Sequence, residues 1–339
     1  MDLDPSVEQR AIVDVFGALA DRFAPLDRLR EHEPGGFSPE LWEQLVAMGA
    51  PGMGVPESAG GAGASMLDLA LAVEALGRRL APAPLVEHAV AARVLAVTSD
   101  DVPAAIVDGA DIATVALRPA RDGVARLVPA GAVAAHVVAL DGEELVLVTS
   151  EPGALIENLA SSPLADRALG DGDRRVLATG ARARAAHAHA VDEWRVLTAA
   201  ALVGLGLGAL AIGVRYVTER EQFGVPIGSF QSLQHGLADV AVNLDGAQLL
   251  ARKAAWAFDG DHPDAAQLAG MAFLFAAEQA QRTAARALHY HGGYGFMEEY
   301  DIQLFYRRAK GWANVVGEPA REYARLADLR YGECTAAVG

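Results

Sequence analysis

The sequence predicts an α+β protein that is mostly helical, with an N-terminal helical domain, a small middle β domain and a C-terminal four-helix bundle. Three observations support this order. Apolar residues recur at helical spacing through residues 1–112, short apolar runs between turn residues replace them after residue 113, and helical spacing returns from residue 191. A chain of 339 residues is long enough for two or three domains with cores of their own. We therefore predict domains at 1–112, 113–190 and 191–339.

The N-terminal domain is predicted to contain four main helices. Val7–Phe23 forms the first, and Ser38 supplies the N-cap of the second, followed by a proline in its first turn. Met66–Leu80 and the segment that ends at Val97 form the other two. The glycine-rich stretch Gly49–Ser65 lies between helices and follows no strand, so we interpret it as a structural turn in preference to a phosphate-binding loop.

The middle domain is recognised by its turns and short apolar runs. Val137–Leu140 and Leu145–Val148 flank Asp141-Gly142, a strong hairpin signal. Residues 177–190 are predicted to be a connector that is neither strand nor helix.

The C-terminal domain is predicted to be a bundle of long helices. Val196–Val214 carries no charge but is rich in Ala and Gly, and helical spacing continues beyond it, which favours a buried bundle helix over a membrane span. Asp264–Tyr290 is mostly Ala with Leu and Phe, and such small residues allow helices to approach closely. Small residues such as Ala200 and Gly204 are candidates for widening a ligand pocket.

Composition argues against several classes of function. The 28 basic and 44 acidic residues give a net charge of −16, which repels nucleic acid. Cys334 is the single cysteine, so the chain can form no internal disulfide, and its N-terminus lacks a signal pattern; both features predict a cytoplasmic protein. The histidine pairs His187/His189 and His289/His291 lack a third nearby ligand, so we expect no metal site.

Two segments of the C-terminal domain carry the candidate binding chemistry. Residues 215–235 join two helices through a turn with one arginine and exposed polar side chains, and residues 289–310 begin with a glycine-rich helix end. Backbone N–H groups at such a helix end can face an anion. Together the two segments are able to hold a pyrophosphate and an adenine, and plain helix capping is the alternative.

At these residues the sequence resembles the acyl-CoA dehydrogenases, FAD enzymes that desaturate acyl thioesters. The matching positions are Tyr216, Arg220, Gln222-Phe223-Gly224, Pro226 and Phe230-Gln231 in one run, His291-Gly292-Gly293, Gly295-Phe296, Glu299-Tyr300-Asp301 and Arg307-Arg308-Ala309-Lys310 in the other, and the N-terminal pattern Leu45, Met48-Gly49, Gly52-Met53, Val55-Pro56, Gly60-Gly61 and Gly63. In that family the bundle reaches the FAD of a neighbouring subunit. The resemblance implies that adenine and pyrophosphate are contacted by Arg220, Phe223, Phe230 and Gln231, and by a second loop of His289, Gly292 and Gly293.

The sequence departs from the family where the flavin ring is held. The family's first β strand carries aliphatic-Thr-Glu-Pro, followed by Gly-Ser-Asp. The corresponding stretch here, residues 115–123, keeps only Pro119, and the later aromatic-Ile-Thr/Ser strand is missing. The resemblance therefore implies that this chain does not hold an isoalloxazine ring by itself.

The catalytic base of the family is also missing. Desaturation needs a carboxylate to remove the α proton while FAD accepts the β hydride. The usual base position corresponds to Val316, and the position used by other members corresponds to Trp194; neither side chain can move a proton. Glu318 and Glu193 are near neighbours, but one residue along a helix turns a side chain by about 100°. Glu318 is kept as a candidate displaced base, with a solvated carboxylate as the alternative.

Because it lacks both the ring-binding motif and the base, the sequence resembles the shortened partner subunit of heteromeric acyl-CoA dehydrogenases, such as those of actinobacterial steroid side-chain breakdown. The resemblance implies an acyl-CoA substrate, FAD shared with a full-length subunit in an α2β2 tetramer, and an electron-transfer flavoprotein as acceptor. Two alternatives stay open. One is a self-sufficient homo-oligomeric dehydrogenase with a displaced base, and the other is a flavin-free acyl-CoA-binding or scaffold protein.

Overall fold

The N-terminal part of the protein is built from helices that begin at well-formed caps. The computed structural model describes residues 3–33, 35–99 and 101–332, so Cys334 lies outside the described residues. Ser6 and Ser65 each form a capping box, and Ser38 accepts a hydrogen bond from the Leu41 N–H. The helices are α1 (Val7–Phe23), α2 (Leu26–Leu29), α3 (Pro39–Ala47), α4 (Met66–Gly77), α5 (Leu85–Thr98) and α6 (Ala104–Val107).

The glycine-rich loop between α3 and α4 closes on itself. Its backbone N–H groups at Gly60, Gly61, Ala62 and Gly63 donate to carbonyl oxygens of residues 52–57 within the same loop. Because these donors are already used, the loop has the geometry of a structural turn and offers no cradle for a phosphate.

The middle part contains a small sheet and a separate strand pair. β1 runs parallel to β3, the other neighbours in the order β1-β3-β4-β6 are antiparallel, and β2 pairs with β5. The predicted hairpin is confirmed, but Asp141 pairs with Glu144 and belongs to the strand. The turn is therefore Gly142-Glu143, with Gly142 at φ +58°. The strands are β1 (Ala113–Val115), β2 (Val124–Val128), β3 (His136–Asp141), β4 (Glu144–Thr149), β5 (Ala165–Ala168) and β6 (Asp173–Thr179).

The predicted connector at residues 177–190 is wrong. β6 continues to Thr179, and the helix α7 begins directly at Gly180. Alternation of Ala with Arg or His hides the helical period in this segment, yet α7 buries Ala183, His187 and Ala190 at spacings of four and three. The domain bounds drawn from the sequence stay predictions.

The C-terminal part is a bundle in which α7 packs against α4, α8, α9 and α10. By length and composition α7 is able to cross a membrane, but 72% of its most apolar 18-residue window is buried inside the protein, as expected of a bundle core helix. The predicted fold class, mostly helical α+β, is confirmed. The elements are α7 (Gly180–Glu219), β7 (Glu221–Gln222), β8 (Val225–Pro226), α8 (Gln231–Asp259), α9 (Ala265–Tyr290), α10 (Ile302–Asn314) and α11 (Pro319–Tyr331).

Glycines bring α4 and α7 into close contact. A Cβ atom at Gly204 would lie 2.1 Å from the Glu74 carbonyl oxygen, and one at Gly208 would lie 2.4 Å from that of Arg78. On the α4 side, a Cβ atom at Gly77 would meet the Ala201 carbonyl oxygen at 2.4 Å. The small residue at position 204 therefore allows two helices to touch and does not widen a pocket.

A buried ion-pair cluster fixes α11 to α7. Arg195 donates to both carboxylate oxygens of Glu322 at 2.8 and 3.0 Å and to Asp192 at 2.8 Å. Arg325 adds contacts to Asp192 at 3.1 Å and to Glu322 at 3.4 Å. Bidentate geometry of this kind offsets much of the desolvation cost of the buried charges.

Candidate active site

A two-stranded hairpin places the first predicted binding motif on the surface. Arg220 follows the last residue of α7 as its C-cap, and the chain turns at Phe223 and Gly224, which have φ angles of +56° and +79°. The Phe223 side chain is 93% exposed, and its ring meets the Phe230 ring edge-on at a centroid distance of 6.3 Å. Gln231, also exposed, is the first residue of α8.

Aromatic contacts join the second motif to the first. The buried His291 ring stacks on Tyr216 at a centroid distance of 3.8 Å, and the Arg220 guanidinium lies 5.9 Å from the centre of the Tyr294 ring. The His291 Nδ1 atom lies 2.7 Å from the Ala287 carbonyl oxygen, and burial lowers the pKa of this histidine. The two segments therefore form one surface patch.

The glycines of the second motif are open toward solvent. Gly292 has a φ of +61°, and a Cβ atom at Gly292 or Gly293 would meet no heavy atom within 4 Å. His289 is exposed on the last turn of α9. The patch of Arg220, Phe223, Gly292 and Gly293 thus has an arginine, an open glycine turn and an exposed aromatic ring. These features fit the phosphates and adenine of FAD.

The segment that corresponds to the ring-binding strand does not fit a flavin. Residues 115–123 contain no side-chain hydroxyl. The Ala116 N–H donates to Val138 and its carbonyl oxygen lies 2.7 Å from the His187 Nε2 atom, while the N–H groups of Ala120 and Arg121 donate to Leu140 and Val124. The backbone groups named here already have partners inside the protein.

The two positions identified with the family's base are both buried and apolar. Val316 is 8% exposed, and Trp194 is 2% exposed with its indole N–H donating to Glu87 at 3.3 Å. Glu318 is exposed at the N-cap of α11, with no capping hydrogen bond from its side chain.

Glu193, the neighbour of Trp194, is committed to an ion pair. Arg93 donates to one of its carboxylate oxygens at 2.8 and 3.0 Å, and the His189 ring lies 3.5 Å from the same oxygen. Burial by itself raises the pKa of the Glu193 carboxyl, but the His189 and Arg93 contacts outweigh it and lower that pKa. Glu193 therefore stays ionised and bound.

A cavity lies where the three parts of the protein meet. Its lining comes from α4, α5, α7 and α10 and from loops of the β region, and it includes Glu87, Trp194, Thr198, Arg308 and Trp312. Burial raises the pKa of the Glu87 carboxyl, because the hydrogen bonds from its own backbone N–H and from the Trp194 indole only partly compensate for lost hydration.

The sequence reasoning did not single out Glu87. The available signal was the single carboxylate of α5, which lies in the first turn of this mostly apolar helix. Among the residues that the structure describes, no group of three His, Cys, Asp or Glu side chains is arranged to hold a metal ion.

The family comparisons agree with this architecture. The profile of the acyl-CoA dehydrogenase N-terminal domain matches residues 6–102, and that of the acyl-CoA dehydrogenase C-terminal domain matches residues 184–318. Acyl-CoA dehydrogenase IpdE2 of Mycolicibacterium smegmatis is 31% identical over 332 residues, which cover 95% of this chain and 98% of that protein. The chain therefore belongs to the acyl-CoA dehydrogenase family of oxidoreductases.

Two solved structures extend the comparison. The Tcur3481-Tcur3483 steroid ACAD G363A variant superposes with a TM-score of 0.85 at 28% identity, covering 95% of this chain and 97% of that one. The ChsE4-ChsE5 complex from Mycobacterium tuberculosis has a TM-score of 0.88 at 24% identity, covering 98% and 99%, and shows the shared fold. In both, the chain similar to ours comes from a structure named for two different proteins.

Proposed function

We propose that this chain is the subunit that completes a shared FAD site in a heteromeric acyl-CoA dehydrogenase. One observation carries the proposal: the outward-facing patch of Arg220, Phe223, Gly292 and Gly293 is assembled, whereas both base positions hold buried apolar side chains. A patch on the surface is suited to a cofactor seated in a neighbouring subunit.

The proposed reaction is the α,β-desaturation of an acyl-CoA thioester. FAD, when bound, accepts the hydride that leaves the β carbon. In this chain Arg220 would pair with a phosphate, Phe223 and Phe230 would cover the adenine side together with Gln231, and the N–H groups of the Gly292-Gly293 turn would donate to the pyrophosphate, with His289 at its edge. The proton acceptor and the ring pocket would come from a full-length partner.

The relatives support the heteromeric form. The two structures above are named for pairs of different proteins, and one of them is described as a steroid ACAD. We propose an α2β2 tetramer with an electron-transfer flavoprotein as its electron acceptor, located in the cytoplasm. The acyl group is proposed to belong to fatty acid or steroid side-chain metabolism.

The flavin content of the purified protein tests the proposal. The chain alone, purified with FAD supplied throughout, is expected to carry no flavin, and the complex with a full-length relative is expected to carry about half a flavin per chain. About one flavin per lone chain would instead indicate a self-sufficient enzyme, for which Glu318→Gln tests the displaced base. No flavin in either preparation would indicate a flavin-free protein.

A pair of glycine substitutions then tests the patch itself. Gly293→Val places a branched side chain in the open turn and should lower the flavin content of the complex without changing the fold. Gly170→Val is the matched control, because Gly170 lies in the β5–β6 loop and a Cβ atom there also meets no heavy atom within 4 Å. Equal flavin content in the two variants would contradict the assignment of the patch.

A further inference from the structure

A groove between α1, α4 and α7 has no role in the shared FAD site. It measures about 730 Å³, within the roughly 300–1,000 Å³ of sites that hold drug-sized ligands. The patch residues Arg220, Phe223, Gly292 and Gly293 do not line it. The groove is therefore a separate candidate for ligand binding.

Much of the lining of this groove is apolar. Gly17 of α1 also lines it, and a Cβ atom at Gly17 would meet no heavy atom within 4 Å. Such a lining can cover the apolar part of a ligand, and the space beside Gly17 is free to receive it. The larger apolar side chains of the lining are Val13, Leu26, Leu207, Ile212 and Phe305.

Three arginines, Arg78, Arg79 and Arg215, line the same groove. Arg79 pairs with Asp21 at 2.5 Å, and Arg78 lies 3.4 Å from Glu74. Arg215 forms no ion pair with any residue that the structure describes. Because the whole protein carries a net charge of −16, this positive charge is a local feature of the groove.

Helix geometry directs Arg215 toward Arg78. Gly208, Ala211 and Arg215 line the groove at spacings of three and four residues, so they share one face of α7. A Cβ atom at Gly208 would lie 2.4 Å from the Arg78 carbonyl oxygen, so Arg78 begins beside Gly208. Arg215 lies two turns further along α7, about 10 Å away, and helical side chains tilt back toward the N-terminus. The two guanidinium groups can therefore reach one anion between them.

Carboxylates of α1 balance the arginines only in part. Asp14 and Asp21 line the α1 side of the groove, and Asp21 is already paired with Arg79. Three guanidinium groups against two carboxylates leave one positive charge in excess. A phosphate group suits this site, because it offers oxygens to Arg78 and to Arg215 at the same time.

We propose that the groove binds an organic phosphate, with Arg78 and Arg215 donating to the phosphate and the apolar lining covering the rest of the ligand. The same chemistry occurs in a nucleoside monophosphate and in an alkyl phosphate of the kind found in lipids. The site uses no residue of the FAD patch and stands whether or not the FAD site is shared.

Isothermal titration calorimetry of the full-length, flavin-free chain tests the proposal with two pairs of probes. AMP is compared with adenosine to detect a nucleotide site, and hexyl phosphate is compared with 1-hexanol to detect an alkyl phosphate site. We expect the phosphate to tighten binding about 10-fold or more in at least one pair, as hydrogen bonds to a charged group allow. Inorganic phosphate should bind more weakly than the better organic phosphate, because it makes no use of the apolar lining.

Charge substitutions locate the binding. Arg215→Met should weaken binding of the better phosphate probe about 10-fold. Arg282→Met is the matched control, because Arg282 is an exposed arginine of α9 that does not line the groove. Asp14→Asn should strengthen binding about 2-fold, because it removes a carboxylate from the α1 side of the groove. Damage to the fold would not produce such a gain.

Gly17 provides a test that changes no charge. Gly17→Leu should fill the groove and abolish binding of the organic phosphates, and the substitution does not weaken α1 because leucine favours a helix over glycine. Gly17→Ala brings a similar gain in helix propensity with little added volume, so it should retain binding. Gly293→Val, which closes the FAD patch, should also retain it.

Three results would overturn the proposal. The first is the absence of binding by both AMP and hexyl phosphate. The second is equal affinity within both probe pairs, or inorganic phosphate that binds as tightly as the organic phosphates, since the groove would then recognise no organic phosphate. The third is an equal loss in the Arg215 and Arg282 variants, or a loss in Gly293→Val and none in Gly17→Leu, since binding would then lie elsewhere. Flavin content is measured separately, so failure of the shared FAD site and failure of this phosphate site are distinguishable.

Discussion

The close contact of α4 and α7 predicts that Gly204→Ala destabilises the protein, although alanine favours helices over glycine. The new Cβ atom would lie 2.1 Å from the Glu74 carbonyl oxygen and 3.0 Å from the Arg78 nitrogen. Real Cβ contacts essentially never fall below 3.0 Å, so the two backbones must separate locally by about 0.9 Å. Because both partners are helical backbone, no side chain can rotate away to relieve the clash.

The magnitude follows from two opposing effects. Overpacking of a dense core costs about 1–3 kcal/mol, and the gain in helix propensity is about 1 kcal/mol. We expect Gly204→Ala to lower the free energy of unfolding by up to about 2 kcal/mol. Gly246→Ala is the matched control in α8, where the nearest atom, Phe275 Cε1, would lie at an ordinary 3.6 Å. That substitution should raise the free energy of unfolding by about 1 kcal/mol.

Urea unfolding followed by circular dichroism measures both variants. The midpoint should decrease for Gly204→Ala and increase for Gly246→Ala, with similar slopes. If both substitutions stabilise the protein by the same amount, α4 and α7 do not approach as closely as described, and the reasoning is refuted.

Two further predictions concern buried charge and pH. Arg195→Met removes the bidentate partner of the buried Glu322 carboxylate, so it should cost about 3 kcal/mol and expose α11 to limited proteolysis. Arg174→Met removes two exposed ion pairs, with Asp141 and Glu144, and should cost under about 1 kcal/mol; equal losses in the two variants would contradict the argument. Burial lowers the pKa of His88 to about 4, and its ring bonds the Ala113 N–H and the Ile106 carbonyl oxygen. As the pH falls, His88 is protonated in the unfolded state near pH 6.5 and in the folded state only near pH 4. The stability contributed by the neutral, buried His88 is therefore complete above pH 6.5, and the free energy of unfolding falls by up to about 3 kcal/mol as the pH drops from about 6.5 to 4. Histidine NMR signals assigned with His88→Gln check the titration, and a midpoint near 6.5 would exclude the effect.

The helices were predictable wherever their signals were local. Ser38 with the proline after it marked the start of α3, and the uniform Ala-rich pattern from Asp264 to Tyr290 marked α9. The hairpin was predictable for the same reason, although its turn was displaced by one residue because Asp141 extends the strand. The start of α7 was not predictable by pattern, since Ala alternates with Arg and His over the first turns.

The candidate site was also predictable only in part from the sequence. The motifs around Phe223 and Gly292 are contiguous in sequence, so their residue types alone suggested an anion-binding surface. Their union into one patch depends on contacts between distant residues, such as His291 on Tyr216.

By itself, the sequence determined the order of helices and strands, the small residues of the bundle and the absence of a carboxylate at residues 194 and 316. Only the tertiary structure decided that Glu87, Trp194 and Arg308 line one cavity, because they come from three helices far apart in the chain. Helix and turn propensities act over a few neighbouring residues, so they can be read from the sequence. The unpartnered N–H of Arg308 and the raised pKa of the Glu87 carboxyl arise only when packing removes water from groups that lie far apart in the chain.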